Sequence, residues 1–214
     1  MPQVRFTLSL SADGFVAGPN QSLDTPLGER GRELHEWAFA TRTFSQMQGR
    51  EGGDTGLDDE RAANWNRNVG ATIMGRNMFG PVRGDWGDGT WDGWWGNDPP
   101  YHNPVFVLTH HPREPIEMQG GTTFHFVTDG IESALAQARD AAGDRDVAVA
   151  GGCSTVQQFL RAGLIDEFEL HVAPVLLGRG ERLFDSVDVG DAGYRCERVV
   201  SSPAVAHYLF SRSA

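Results

Sequence analysis

Two glycines and three small side chains stand together at Gly151-Gly152-Cys153-Ser154-Thr155. They follow the apolar run Val147–Ala150 and precede Val156, Phe159 and Leu160 at helical spacing. A strand that enters a helix through paired glycines lets a ligand approach its backbone. The helix start adds unpaired N–H groups and a positive dipole end, which together suit a diphosphate. The same residues also suit a tight strand–helix turn whose glycines serve packing alone. Two glycines fall short of the full dinucleotide fingerprint, so the motif by itself leaves both readings open.

Other residues carry chemistry of their own. Arg76 follows the buried run ATIMG and offers a fixed cationic fork for phosphate, or a plain surface charge just past a strand end. Asp13, before Gly14, suits either proton relay to a ring nitrogen or a turn. Trp86, Trp91, Trp94 and Trp95 lie among glycines, aspartates and prolines in Gly80–Pro104. Such rings can stack a flat heterocycle, close as a lid, or fill a satellite core. His35-Glu36 does not begin a zinc-protease motif, because Phe39 stands where the second histidine belongs. Adjacent His110 and His111 suit a phosphate-side or solvent role, and His125, His171 and His207 read as ordinary strand residues. No positioned His and Asp accompany Cys153 in sequence, so it reads as small lining, not nucleophile. The acidic groups of 51–60 lack calcium-loop spacing, and no metal site is read anywhere.

The elements that must position these residues emerge from periodicity. Val4–Leu10 alternates as a strand, and Leu27 to about Phe44 carries one apolar helical face. Asp58 or Asp59 caps a second helix running to about Val69. Ala71–Gly75, Val105–Thr109 and Thr122–Val127 are further strands, with Gly80–Pro104 a long loop. Ile131–Ala142 is an Ala-rich helix, Glu167–Val175 alternates, and 199–210 forms a closing hairpin. This order predicts one α/β domain, parallel at the sheet's centre and antiparallel at its C-terminal edge. Ligands of such sheets lie beyond the carboxyl ends of the strands. Here those ends are Ser11–Asp13, Gly75-Arg76, Thr109–His111 and Gly151-Gly152.

Composition narrows the partners. The chain has 214 residues, 39% hydrophobic, with six Trp, enough for a substantial core. Its formal net charge of −11 argues against nucleic acid or anionic membrane as partner. Two cysteines make no disulfide framework, and no signal peptide or apolar span is seen, so the chain reads as cytoplasmic.

Five stretches resemble the dihydrofolate reductase-like superfamily, in particular the reductase domain of the riboflavin-pathway deaminase–reductase. They are LSLSADGFVAG (Leu8–Gly18), TIMGRNMF (Thr72–Phe79), VFVLTHHP (Val105–Pro112), VAVAGGCSTVQQFL (Val147–Leu160) and LIDEFELHVAPVLLGRGERLF (Leu164–Phe184). Segments near 19–68 and 80–104 fall outside them as inserts. The resemblance implies a three-layer fold with a mixed, mainly parallel sheet of eight to nine strands, and a homodimer. It implies NADPH as hydride donor to a small pyrimidine- or pterin-like ring. Gly75-Arg76 would hold cofactor phosphates, Thr109 and His110 would border the 2′-phosphate, and Gly151, Gly152, Ser154 and Thr155 would cradle the diphosphate. Ala17 and Gly18 would cover the nicotinamide. Ser11, Trp91 and Trp94 are the substrate-side candidates, with Asp13 the catalytic one.

The chain also departs from the family. It lacks the deaminase zinc signature, and Glu33 and Glu36 sit in no recognisable pterin-holding motif. The basic residues that would hold a phosphoribosyl group cannot be assigned. The expected activity is therefore a riboflavin- or folate-type reductase, the alternative a cofactor-binding module of the same fold with little turnover.

Overall fold

In a computed structural model of the chain, the described residues are 2–80, 84–185, 187, 190 and 192–212. In order, the chain forms β1 (Val4–Ser11), β2 (Phe15–Ala17), a 3-10 turn (Gly31–His35), α1 (Glu36–Phe39), α2 (Arg42–Met47) and α3 (Leu57–Ala63). Next come β3 (Val69–Gly75), α4 (Arg76–Phe79), β4 (Pro104–Leu108), β5 (Ile116–Glu117) and β6 (Thr123–Val127). After α5 (Ile131–Ala142) the chain continues through β7 (Asp146–Gly151), α6 (Cys153–Arg161), β8 (Glu167–Ala173), β9 (Glu181–Arg182), β10 (Tyr194–Ser201) and β11 (Ala206–Arg212).

Nine strands form one sheet in the order β10-β11-β8-β1-β7-β3-β4-β6-β5, and β2 pairs with β9 apart from it. The ladders β1–β7, β7–β3, β3–β4 and β4–β6 are parallel. β5–β6, β8–β11 and β10–β11 are antiparallel. The mixed sheet with its antiparallel C-terminal edge is the one the sequence predicts. β3 has parallel partners on both sides and is buried at all seven positions, which is why ATIMG reads as an unbroken apolar run.

Backbone contacts group into two compact units, residues 1–6 with 68–165 and residues 7–67 with 166–214. In the first, Met74, Phe79, Val105, Val107 and Phe124 form a core cluster. In the second, Trp37, Ala38, Ala62 and Val205 form one, with Trp65 packed against it. No helix among the described residues is long and apolar enough to cross a membrane.

The single helix expected over Leu27–Phe44 is instead a 3-10 turn and two short helices. Thr41 adopts an extended conformation, and its hydroxyl accepts from the Phe44 N–H at 3.1 Å, capping α2. The Asp54 N–H donates to the Ala40 carbonyl (2.7 Å) and the Arg42 N–H to the Asp54 carbonyl (2.9 Å). Backbone groups that would continue α1 are thus spent on a distant partner. α3 ends at Ala63, short of Val69, and Asn68 at φ 59° turns the chain into β3.

Candidate functional site

Three neighbouring parallel strands of the first unit, β7, β3 and β4, end at Gly151, Gly75 and Leu108. Each of these ends leads directly into polar groups. Gly151 sits at φ 129°, a conformation that a side chain rarely adopts, and its peptide to Gly152 is cis. The Gly152 carbonyl accepts from the N–H groups of Thr155 (3.1 Å) and Val156 (3.2 Å), starting α6. A Cβ on Gly152 would project into open space, whereas one on Gly75 would collide with the Thr155 hydroxyl. Glycine at Gly75 therefore lets β3 close against the start of α6, while Gly152 faces open room. Thr155 is buried, while Ser154, on the same turn, is exposed. This is a cradle of backbone and small side chains at a helix N-terminus, the geometry that favours diphosphate.

Arg76, the first residue of α4, is held from several sides. Its Nη1 donates to the Gly84 carbonyl at 3.3 Å and lies 3.4 Å from the Thr109 hydroxyl, and its Nη2 donates to the Asp85 carbonyl at 3.3 Å. Its guanidinium carbon rests 3.3 Å from the centroid of the Trp86 ring. Thr109, buried just past β4, also accepts from the His111 N–H at 3.1 Å. His110 is exposed beside it. The expected phosphate-side residues of this unit thus lie along one rim of three adjacent strands.

The Trp-rich segment, of which 81–83 lie outside the described residues, packs largely on this unit's core. Trp86, Trp91 and Trp95 all lie against the Met74–Phe124 cluster. The Trp91 indole donates to the Phe79 carbonyl at 2.9 Å, and Trp94 meets Trp91 edge-on at 4.8 Å. The Trp86 indole donates to the His111 carbonyl at 2.9 Å. Arg113 ties the segment down by donating to the Trp91 and Gly89 carbonyls, both at 2.6 Å. Trp91 and Trp94 are only partly buried, leaving part of each ring exposed.

The remaining expected residues belong to the second unit. The Asp13 carboxylate accepts from the N–H groups of Leu177 (3.1 Å) and Gly178 (2.7 Å). The Ser11 hydroxyl and these amides hold its carboxyl down to about 2, so Asp13 is ionised at neutral pH and anchors the turn after β8. The Ser11 hydroxyl is buried and accepts from the Phe15 N–H at 2.9 Å. Ala17 is buried on β2, and the Gly180 backbone packs against its carbonyl. A Cβ on Gly18 would strike the Glu29 carbonyl, so the chain folds tightly onto itself here.

Sequence reasoning missed a buried polar chain in the second unit. Trp65 Nε1 lies 3.3 Å from His171 Nε2, His171 Nδ1 lies 2.6 Å from His207 Nδ1, and His207 Nε2 lies 3.0 Å from Asp58 Oδ1. The Ser202 hydroxyl donates to the other Asp58 oxygen at 2.8 Å. An indole only donates, so His171 Nε2 accepts and its Nδ1 carries the proton. That proton goes to His207 Nδ1, and His207 Nε2–H then donates to Asp58. This donor order fixes both tautomers. Burial lowers His171 well below the usual imidazole range, aided by the nearby His207, His35 and Arg61. Trp37 covers both rings, 4.6 Å from His171 and 5.1 Å from His207. Glu169 lies close enough to complete a ligand triad with the two histidines, all within 4.8 Å. However, the proton on His171 Nδ1 and the Trp65 donor already use both of that ring's nitrogens.

The profile of the RibD C-terminal domain family matches residues 2–205. The Bacillus subtilis (strain 168) protein YyaP, itself uncharacterised, is 37% identical over 94 residues, 42% of this chain. That match spans 50% of the relative's length. A candidate riboflavin biosynthesis protein from Shewanella sp. PV-4 superposes over 99% of both chains at a TM-score of 0.62 and 21% identity. Dihydrofolate reductase from Enterococcus faecalis, solved with NADP(H), superposes over 99% of this chain and 97% of its own at 0.53 and 12% identity. At these identities the structural likeness is one of fold.

Proposed function

The chain belongs to the family of the RibD C-terminal domain, and on that premise we propose that it is an NADPH-dependent reductase acting on a pyrimidine- or pterin-like ring. The observation that carries this reading is the shared rim. Gly75-Arg76, Thr109-His110 and Gly151–Thr155 stand at the ends of three adjacent parallel strands in one unit, with a helix N-terminus and open space before Gly152. The residues fit a dinucleotide phosphate. Gly151, Gly152, Ser154 and Thr155 would take the diphosphate with backbone N–H and hydroxyl donors, while Arg76, Thr109 and His110 would meet the adenosine-side phosphate. When bound, the coenzyme supplies the hydride; the chain supplies orientation and electrostatics.

Ser154→Asp separates binding from folding. A carboxylate in the first turn of α6 favours the helix dipole but repels a diphosphate. NADPH affinity, followed by its fluorescence, should fall about tenfold or more while the melting temperature holds or rises. An unchanged affinity refutes the cradle. Loss of the nicotinamide absorbance with a panel of pterins and aminopyrimidines then reports turnover. Saturable binding without that loss favours the cofactor-binding module over the reductase.

A further inference from the structure

The second unit contains a cavity of about 490 Å³ lined by Arg32, Phe39, Phe44, Gln48 and Arg50. Its walls come from the 3-10 turn, α1, α2 and the residues just after α2. Two features mark it. The first is aromatic: the Phe39 and Phe44 rings lie 4.8 Å apart and both are only partly buried, so ring surface faces the cavity. The second is charge. The Arg32 guanidinium carbon lies 4.6 Å from the Phe39 centroid, and Arg50 is set on the rim by its backbone N–H donating to the Ser45 carbonyl at 2.9 Å.

Among the described residues, neither Arg32 nor Arg50 has a carboxylate within ion-pair distance. Other arginines of the same unit do: Arg30 with Glu33 (2.8 Å), Arg42 with Asp59 (2.9 Å), Arg61 with Glu169 (3.7 Å) and Arg179 with Glu29 (2.9 Å). In a chain with 29 acidic and 18 basic residues, two guanidiniums outside ion-pair distance of any described carboxylate, together with two phenyl rings, line one cavity. Guanidinium forks match carboxylate and phosphate oxygens, and phenyl faces take flat rings. The volume lies within the range of small-molecule sites.

We propose that this cavity binds a small planar ring carrying a phosphate or carboxylate, its anion held between Arg32 and Arg50 and its ring against Phe39 and Phe44. The site stands independently of the reductase reading, and either can fail without the other.

Isothermal titration calorimetry of the full chain with phenyl phosphate and with benzoate tests it, and the stronger of the two tells phosphate from carboxylate. At least one should saturate with Kd below about 1 mM. Inorganic phosphate and phenol, the two halves of phenyl phosphate, should each bind about tenfold more weakly. Arg50→Ala removes an exposed side chain and should leave the melting temperature unchanged, while Arg32→Ala also loses the contact with the Phe39 ring and should lower it by no more than a few degrees. Each should weaken the aryl anion about fivefold or more, and Arg32→Lys should recover only part of the loss. Arg76→Ala and saturating NADP should change nothing. The proposal is overturned by absence of saturation with both aryl anions, by unchanged affinity in both alanine variants, or by a loss that accompanies Arg76→Ala instead.

Discussion

The Arg76 guanidinium sits over the Trp86 indole, its carbon 3.3 Å from the ring centroid. Arg113 approaches the same ring at 4.9 Å, so one indole is shared by two cations. Arg76, proposed above to meet a cofactor phosphate, is therefore also a clamp on the Trp-rich segment, through Trp86 and the Gly84 and Asp85 carbonyls. Arg76→Ala should lose both roles. A charge-assisted bond is worth about 1.5–3 kcal/mol, so NADPH affinity should drop about tenfold or more. Chymotrypsin should also cut faster at Trp86 and Trp91. Trp86→Leu removes a stack worth roughly 0.5–2 kcal/mol and should speed cleavage alone, with NADPH affinity within about threefold of the parent. Equal losses of affinity in the two variants would place the indole itself in the binding site. A larger loss for NADPH than for NADH in Arg76→Ala would put this side chain at the 2′-phosphate; an equal loss would put it at the diphosphate.

The approach of Gly75 to Thr155 sets how closely β3 meets the start of α6. A Cβ at Gly75 collides with the Thr155 hydroxyl, so Gly75→Ala should cost about 1–3 kcal/mol by overpacking. Removing the obstacle should restore much of that. In urea unfolding, the double variant Gly75→Ala/Thr155→Ala should be more stable than the two single losses added together, by about 1 kcal/mol or more. Additive losses would mean the two residues do not compete for the same space.

The parallel centre of the sheet was legible because its strands obey simple rules. β3 and β4 are short unbroken apolar runs, α5 repeats alanines on one face, and Gly151-Gly152 marks the turn from β7 into α6. Features made by residues far apart in sequence were not legible. β2 and β9 are three and two residues long and pair across the chain, too short to show a period. The break at Thr41 depends on Asp54, since the apolar face of Leu34, Trp37 and Ala38 continues past it unmarked. The His171–His207 contact arises because β8 and β11 pair in that register, while Trp65 and Asp58 come from around α3. One signal was available: His171 and His207 fall on otherwise apolar strands, and a polar residue there needs a partner.

The partners of that histidine chain should be separable by variant. Asp58→Ala leaves the buried His207 Nε2–H and the Ser202 hydroxyl without an acceptor, a loss of about 1–3 kcal/mol. Asp58→Asn keeps an amide oxygen for the imidazole and should cost less than about half of that. Imidazole nitrogen shifts offer a direct check of the tautomers, with the proton on Nδ1 of His171 and on Nε2 of His207. Trp65→Phe removes the donor that fixes His171 and should leave its ring a mixture of tautomers. A parent protein showing the proton on His171 Nε2 would reverse the whole chain.

Acid should weaken the fold through His171 and His35. Burial keeps the His171 ring well below its ordinary range, and it lowers His35 to about 4. Between those folded values and the unfolded value near 6.5, the unfolded chain binds protons that the folded chain does not, so stability rises with pH there and falls on acidification. Above about pH 7 both states are neutral and the effect vanishes. For His171 the slope is at most about 1.4 kcal/mol per pH unit. Glu169 works in the opposite sense, since burial raises its carboxyl. Urea unfolding at pH 7.5 and 5.5 keeps most of the carboxylate titration out of the comparison. The parent should lose stability between these two values, and His171→Gln should lose distinctly less, even if it is weaker at both. An equal loss in parent and variant would show that His171 takes up its proton as readily folded as unfolded.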